Sequence, residues 1–169
     1  MLKRLKAGNS QKVFLDTTFL PPFFQIEIEV EAFTSNIFKE ALTRFPQIHF
    51  SELSIFEAKA KIHTLSMKEA SYSKASESFG SNLTTLMDDE KIIFHTYTAQ
   101  DDEYFNLISA KRLGLDTFDM IIMAQAMNIG LLITEDREIL NVRERPEFTD
   151  DPTLRRLKIR RWVEQAGRI

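Results

Sequence analysis

The sequence predicts an α/β fold in which a mainly parallel central sheet is flanked by helices on both faces. Three observations point there. Four short apolar runs (Val13, Phe14, Leu15; Ile48, His49, Phe50; Ile92, Ile93, Phe94; Leu131, Leu132, Ile133) have the length of buried strands rather than helices. Segments with helical spacing of apolar residues separate them, and this alternation is the pattern of parallel strands joined by helical crossovers. Gly114 and Gly130 stand where two helical patterns stop, as residues that close a helix in the left-handed conformation should.

Taken in order, residues 12–16 read as the opening buried strand, followed by a Thr-Thr pair suited to a turn, and Pro21 and Pro22 stop regular structure. Residues 26–30 alternate Ile, Glu, Ile, Glu, Val, which predicts a short half-exposed strand. Over 31–44, Phe33, Ile37, Phe38, Ala41 and Leu42 fall at helical spacing, and Pro46 ends that helix. Residues 48–50 form the second strand. Ser51 or Ser54 caps the next helix, which carries Glu57 and runs to about Leu65. Residues 66–88 are polar and helical in pattern, an outer helix or arm with Gly80 as a break, and 92–94 form the third strand. Helices over 98–113 and 115–128 precede a strand at 131–134, a short helix at 137–143 and a last strand at 157–163. With 169 residues and neither an internal repeat nor a low-complexity linker, the chain reads as one domain, 1–169.

Composition narrows the chemistry. The chain has 43% hydrophobic and 28% charged residues, as a soluble globular protein does, and no apolar stretch long enough for a bilayer span or a signal peptide, so a cytoplasmic, non-membrane protein is expected. The absence of cysteine excludes disulfides and thiolate metal sites. His49, His63 and His95 show no ligand spacing, so a metal would be held by oxygen, which selects Mg²⁺, Mn²⁺ or Ca²⁺. The net charge of −3 argues against a general nucleic-acid coat. Cations nevertheless crowd both ends: Lys3, Arg4, Lys6 and Lys12, then Arg155, Arg156, Lys158, Arg160 and Arg161. They form either phosphate-contacting segments or plain solvated faces.

Four carboxylates stand out. Asp16 ends the first apolar strand and Asp136 follows the fourth, the edge at which open α/β sheets place ligands. Asp119 lies in a helix apolar nearly all round, which should bury it, and no lysine or arginine on that helix neutralises it. Asp116, one turn earlier, is a fifth acid or the helix cap. Glu57 stands beside the stripe Leu53, Phe56 and Ala60, and Lys61 at i+4 offers it a surface ion pair instead. Each acid alone has a structural reading as a turn residue, a cap or half of a pair. Converging at one edge, two such charges about 4 Å apart would repel by roughly 4 kcal/mol at an effective dielectric of 20, a penalty that a divalent cation removes. Such a cation also polarises a phosphoryl oxygen and acidifies a bound water.

The motifs resemble those of PIN-domain proteins, the nuclease fold of toxin-antitoxin ribonucleases and of several RNA-processing enzymes. The matching pieces are Val13 to Thr17, Ser51 to Ala58, Asp119 to Ala126, and Leu131 to Asp136 with its Thr-x-Asp ending. The resemblance implies Asp16, Glu57, Asp119 and Asp136 as catalytic ligands of Mg²⁺ or Mn²⁺, with Thr134 and Thr17 or Thr18 orienting them and Asp116 nearby. It implies metal-dependent hydrolysis of RNA phosphodiesters, a homodimer and a small antitoxin partner, in either a toxin or an RNA-processing role. Glu135 stands where the family often carries a basic or neutral polar residue and adds negative charge near the substrate, and the segments 21–45 and 66–88 are longer than in a minimal toxin. Arg155, Arg156, Lys158 and Arg160 are then the RNA-binding candidates.

Two other readings compete. One is a PIN-like module that binds RNA or protein without cleaving. The other, a receiver-like phosphoacceptor domain, needs an acidic pair at the first strand's end, where this chain has a lone Asp16 followed by threonines.

Overall fold

The computed structural model describes residues 12–166, so Lys3, Arg4 and Lys6 lie outside the described residues. Among those residues five strands, β1 (Val13–Leu15), β2 (Ile48–Ser51), β3 (Ile92–His95), β4 (Leu131–Ile133) and β5 (Lys158–Arg160), form one all-parallel sheet in the order β3-β2-β1-β4-β5. From β1 the chain passes through α1 (Ser35–Thr43) to β2, and through α2 (Leu53–Lys68), α3 (Ser73–Glu77) and α4 (Phe79–Met87) to β3. It then crosses back through α5 (Ala99–Ala110) and α6 (Thr117–Met127) to β4, and through α7 (Arg137–Val142) and α8 (Pro146–Thr149) to β5, before the closing α9 (Trp162–Ala166). Parallel crossovers keep one hand, so reversing the direction in which successive strands are added to the sheet moves the helices to its other face.

Strand alternation divides the core accordingly. Val13, Leu15, Ile48, Phe50 and Ile133 pack on the side of α1, α2 and α4, whereas Phe14, Leu132 and Ile159 pack on the side of α5 to α8. The first side is aromatic. Phe24 stacks on Phe79 with ring centroids 4.4 Å apart, and Trp162 from α9 sits 5.5 Å from both Phe33 and Phe38 and 5.9 Å from Phe19. Trp162 is 1% exposed, and its indole N–H donates to the carbonyl of Ala32 at 3.1 Å. The longer segments 21–45 and 66–88 thus supply Phe23, Phe24, Phe33, Phe38 and Phe79 to a core layer.

Several boundaries differ from expectation. Residues 26–30 keep their alternation, with Ile26 buried and Glu27 and Glu29 exposed, but pair with no strand, and Pro21–Phe24 is a short 3-10 helix. The helix expected from 31 starts at Ser35, because Ala32 turns the chain at φ +57° and Thr34 caps Ile37. The polar region breaks at Glu69 and Ser78 rather than at Gly80, which lies inside α4. The strand expected over 157–163 stops at Arg160, since Glu135 accepts from the backbone N–H of Trp162 at 2.8 Å and starts α9 there. No helix among the described residues is long and apolar enough to cross a membrane.

Candidate active site

The strand order reverses between β1 and β4, and in open α/β sheets the crevice beyond the carboxyl ends of two such strands is where ligands sit. The register sets Leu15 beside Ile133, which brings the next residues out of the two strands, Asp16 and Thr134, side by side at that edge. The Asp16 N–H extends the ladder to the carbonyl of Ile133 at 3.1 Å, and the Thr134 N–H to that of Arg160 at 3.0 Å. Both side chains are buried.

Thr134 links two of the acids. Its hydroxyl donates to Asp16 Oδ2 at 2.8 Å and accepts from the backbone N–H of Asp136 at 2.9 Å. Asp16 Oδ1 accepts from the N–H of Thr17 at 2.6 Å. Asp136 caps α7 with Oδ1, taking the N–H groups of Glu138 and Ile139 at 2.8 and 3.1 Å. Its Oδ2 has no hydrogen bond among the described residues.

Thr17 links the third. Its hydroxyl donates to Glu57 Oε2, so the 2.8 Å contact with Ser54 must have Ser54 as the donor, because one hydroxyl carries one proton. Glu57 comes from the second turn of α2, on the aromatic side of the sheet, and leans over the edge rather than pairing with Lys61. Asp119 arrives from the opposite side, in the first turn of α6, where its N–H donates to the capping carboxylate of Asp116 at 2.8 Å. Asp116 is therefore the cap. Asp119 is only half-buried, a correction to the apolar-helix expectation: burial of α6 begins at Ile122, one turn further in.

The acids feel one another. Burial pushes the Asp16 carboxyl up to about 6, with Asp136 and Glu57 adding to the rise against the hydrogen bonds from Thr134 and Thr17. Partial desolvation together with the charges of Asp136, Asp116 and Asp16 pushes Asp119 up to about 7. Among the described residues no group of three or more histidine or acidic side chains is placed to hold one ion as it stands. By donor chemistry the set suits a hard cation: every donor is a carboxylate oxygen, and Asp16, Glu57, Asp119 and Asp136 could hold one.

The remaining expectations resolve unevenly. Thr18 makes no side-chain hydrogen bond among the described residues, so Thr17 is the hydroxyl that meets the acids. Glu135 is not an unpaired charge. It is held 3.0 Å from the Arg161 guanidinium, whose other side meets Glu31 at 3.3 Å. Of the basic segment, Arg155, Arg156 and Lys158 are exposed, while Arg160 donates to Gln165 at 2.8 Å. Lys158 pairs in register with Leu131 at the amino ends of their strands, away from Asp16, and only Arg160 lies at the acidic edge.

Two features escaped the sequence. His49 and His95 meet ring to ring across β2 and β3, with Nδ1 and Nε2 2.6 Å apart, a contact between residues 46 positions apart that only strand register reveals. Phe56 and Phe118 belong to neither buried face: the buried stripe of α2 is Ser54, Ala58 and Ile62, which leaves Phe56 72% exposed, and Phe118 is 51% exposed.

No family model matches the sequence, and no curated protein matches it. Solved structures match in fold. The crystal structure of PAE2754 from Pyrobaculum aerophilum aligns with a TM-score of 0.54 at 15% identity, covering 79% of this chain and 86% of that one. VapBC2 from Rickettsia felis, bound to a DNA fragment from its promoter, gives 0.54 at 17% identity, over 90% of this chain and 99% of that one. VapBC-1 from nontypeable Haemophilus influenzae gives 0.53 at 16%, with the same coverage. The five-stranded parallel sheet with its flanking helices is the fold of a PIN-like domain.

Proposed function

We propose that the protein is a divalent-cation-dependent ribonuclease acting at the acidic edge of its PIN-like sheet. The observation that carries this reading is the gathering of Asp16, Glu57, Asp119 and Asp136 from beyond two strand ends and from helices on both faces at the switch point, where burial raises the Asp16 and Asp119 pKa values and the neighbouring carboxylates add to the rise. Crowding like charges destabilises the empty site, and a cation offsets that cost. Mg²⁺ or Mn²⁺ would be held by these four, and when bound would polarise a phosphoryl oxygen and acidify a water. The chain's own residues do the rest. Thr134 fixes the separation of Asp16 and Asp136, while Thr17 and Ser54 hold Glu57 toward them. The raised pKa of Asp119 suits a group that releases a proton near neutrality as the cation enters.

RNA is the proposed substrate, with Arg155, Arg156, Lys158 and Arg160 as its phosphate contacts at the sheet's β5 edge. The likeness to two VapBC proteins favours a toxin role with a small antitoxin protein as partner over an RNA-processing role. A homodimer in the cytoplasm completes the proposal. The test is cleavage of single-stranded RNA by the purified protein in Mn²⁺, set beside Asp16→Asn and Asp119→Asn. Both variants should lose about 100-fold or more in rate, the effect of removing a ligand or its support, while melting at the wild-type temperature or above without metal. Equal cleavage by wild type and variants would move the protein to the RNA-binding, non-catalytic reading.

A further inference from the structure

Among the described residues, six large hydrophobic side chains stand open to solvent, and the three aromatic ones fall at one edge of the molecule. Phe56 lies in the first turn of α2, directly before Glu57, and Phe118 in the first turn of α6, directly before Asp119. Tyr97, 42% exposed, follows β3 at the same carboxyl edge, where Thr96 bonds Glu52 at the start of α2 at 3.1 Å. Its phenol donates to Asp102 at 3.1 Å, which fixes the ring's position. Met67 and Met87, by contrast, stand in the closing turns of α2 and α4, away from the acids. The exposed rings sit on opposite faces of the sheet with the carboxylates between them, so they do not form one continuous apolar patch of the kind a protein partner buries. On the β4 side Arg137 follows Asp136 directly as the first residue of α7, is exposed and has no ion-pair partner among the described residues.

We propose that Phe56 and Phe118 are base-stacking platforms on either side of the acidic cluster, holding the unpaired nucleotides that flank the scissile phosphate, with Arg137 contacting the backbone. The inference rests on the ribonuclease reading and adds to it the side chains that select a single-stranded, splayed substrate. The physical case is one of opposing terms. Carboxylates repel a polyanion, so groups that do not depend on charge add affinity that the acids do not cancel, and a ring offers every base a face to stack on regardless of sequence. Each platform lies one residue from an acid on a rigid helix, so a stacked base fixes where the adjoining phosphodiester falls relative to the carboxylates. Duplex RNA, whose bases are already stacked on each other, gains nothing from the rings.

The test is fluorescence anisotropy of a short labelled single-stranded RNA in Ca²⁺, beside the same oligonucleotide with central abasic sites and a duplex. Wild type should bind the intact strand more tightly than either control. Phe56→Ala and Phe118→Ala should each weaken binding of the intact strand by roughly 5- to 100-fold, the range that one stacked base supplies. Trp at either position should restore affinity, and neither variant should alter binding of the abasic strand. Equal affinity for intact and abasic strands, or variants that bind as wild type does, would overturn the proposal. A change in self-association of the variants by sedimentation with RNA binding untouched would assign the rings to a protein interface and overturn it as well. A wild type that prefers the intact strand but fails to cleave it in Mn²⁺ would reject the ribonuclease reading while leaving the stacking platforms in place.

Discussion

Thr134 and Asp16 lie 118 positions apart in the chain and share a 2.8 Å hydrogen bond at the sheet's carboxyl edge. The same Thr134 hydroxyl accepts from the Asp136 N–H, so one oxygen sets the distance between two acids. Replacing Thr134 by Val keeps the shape but leaves the Asp16 carboxylate and the Asp136 N–H short of a partner. A loss of about 1–3 kcal/mol of stability is expected by urea denaturation. Mn²⁺ affinity by calorimetry should fall about 10- to 100-fold, the usual effect of removing a ligand's orienting partner. Thr134→Ser should recover both.

The pH dependence of the metal-free protein should contain two opposing slopes. Asp16 has its folded pKa raised from 3.8 to about 6, so the folded state holds its proton more tightly. Its contribution is fully present below about pH 4 and lost as pH rises through 6, on the order of 1–3 kcal/mol. His49 runs the other way: burial beside His95 and Lys12 lowers its pKa from 6.5 to about 4, so stability present above 6.5 is lost as pH falls through 4. Melting temperatures measured across this window should separate the two. Asp16→Asn should shrink the acid-stabilising slope to the part that Asp119, raised to about 7, supplies, and His49→Gln should shrink the acid-destabilising one to the part that His95 supplies.

Trp162 anchors the C-terminal helix in the aromatic layer, and its truncation to Ala should cost about 3–5 kcal/mol by denaturant titration. Trp162→Phe should lose less, keeping the aromatic packing and forgoing only the bond to the Ala32 carbonyl.

For the basic segment, Arg161 is occupied by Glu135 and Glu31, and Arg160 by Gln165, so the cations best placed to release counterions are Arg155, Arg156 and Lys158. Changing these three to Gln should lower the salt slope of RNA binding by about 0.7 for each phosphate that is no longer neutralised. An unchanged slope would leave the segment as a solvated edge that discourages strand pairing with other chains.

The sheet was legible in the sequence because its strands are runs of apolar residues with clear stops, and the positions of Asp16 and Asp136 follow from where those runs end. One cap was half-readable: the sequence left Asp116 as either a fifth acid or the cap of α6, and the fold makes it the cap. Tertiary facts were not. Periodicity assigned Phe56 and Phe118 to buried faces, but helix α2 is rotated so that Ser54 turns inward to reach Thr17, and α6 starts before it reaches the core. Alternation over 26–30 gave the right buried residues and the wrong element, since burial needs only a core to lie against whereas a strand needs a neighbour. The role of Glu135 depended on Arg161, far along the chain and invisible until the two segments are folded together.

The seat of Trp162 also bears on how the molecule is made. Its partners Phe19, Phe33 and Phe38 come early in the chain, and β1, although first in order, lies between β2 and β4. A ribosome emits the segment around Asp16 long before it emits Thr134 or Trp162. Until β4 follows, β1 has at most one neighbour, and until Trp162 follows the aromatic layer lacks its indole. Domains fold as units during synthesis, so β1 gains its second neighbour, and Asp16 its hydroxyl partner Thr134, only once β4 has followed the rest of the sheet off the ribosome.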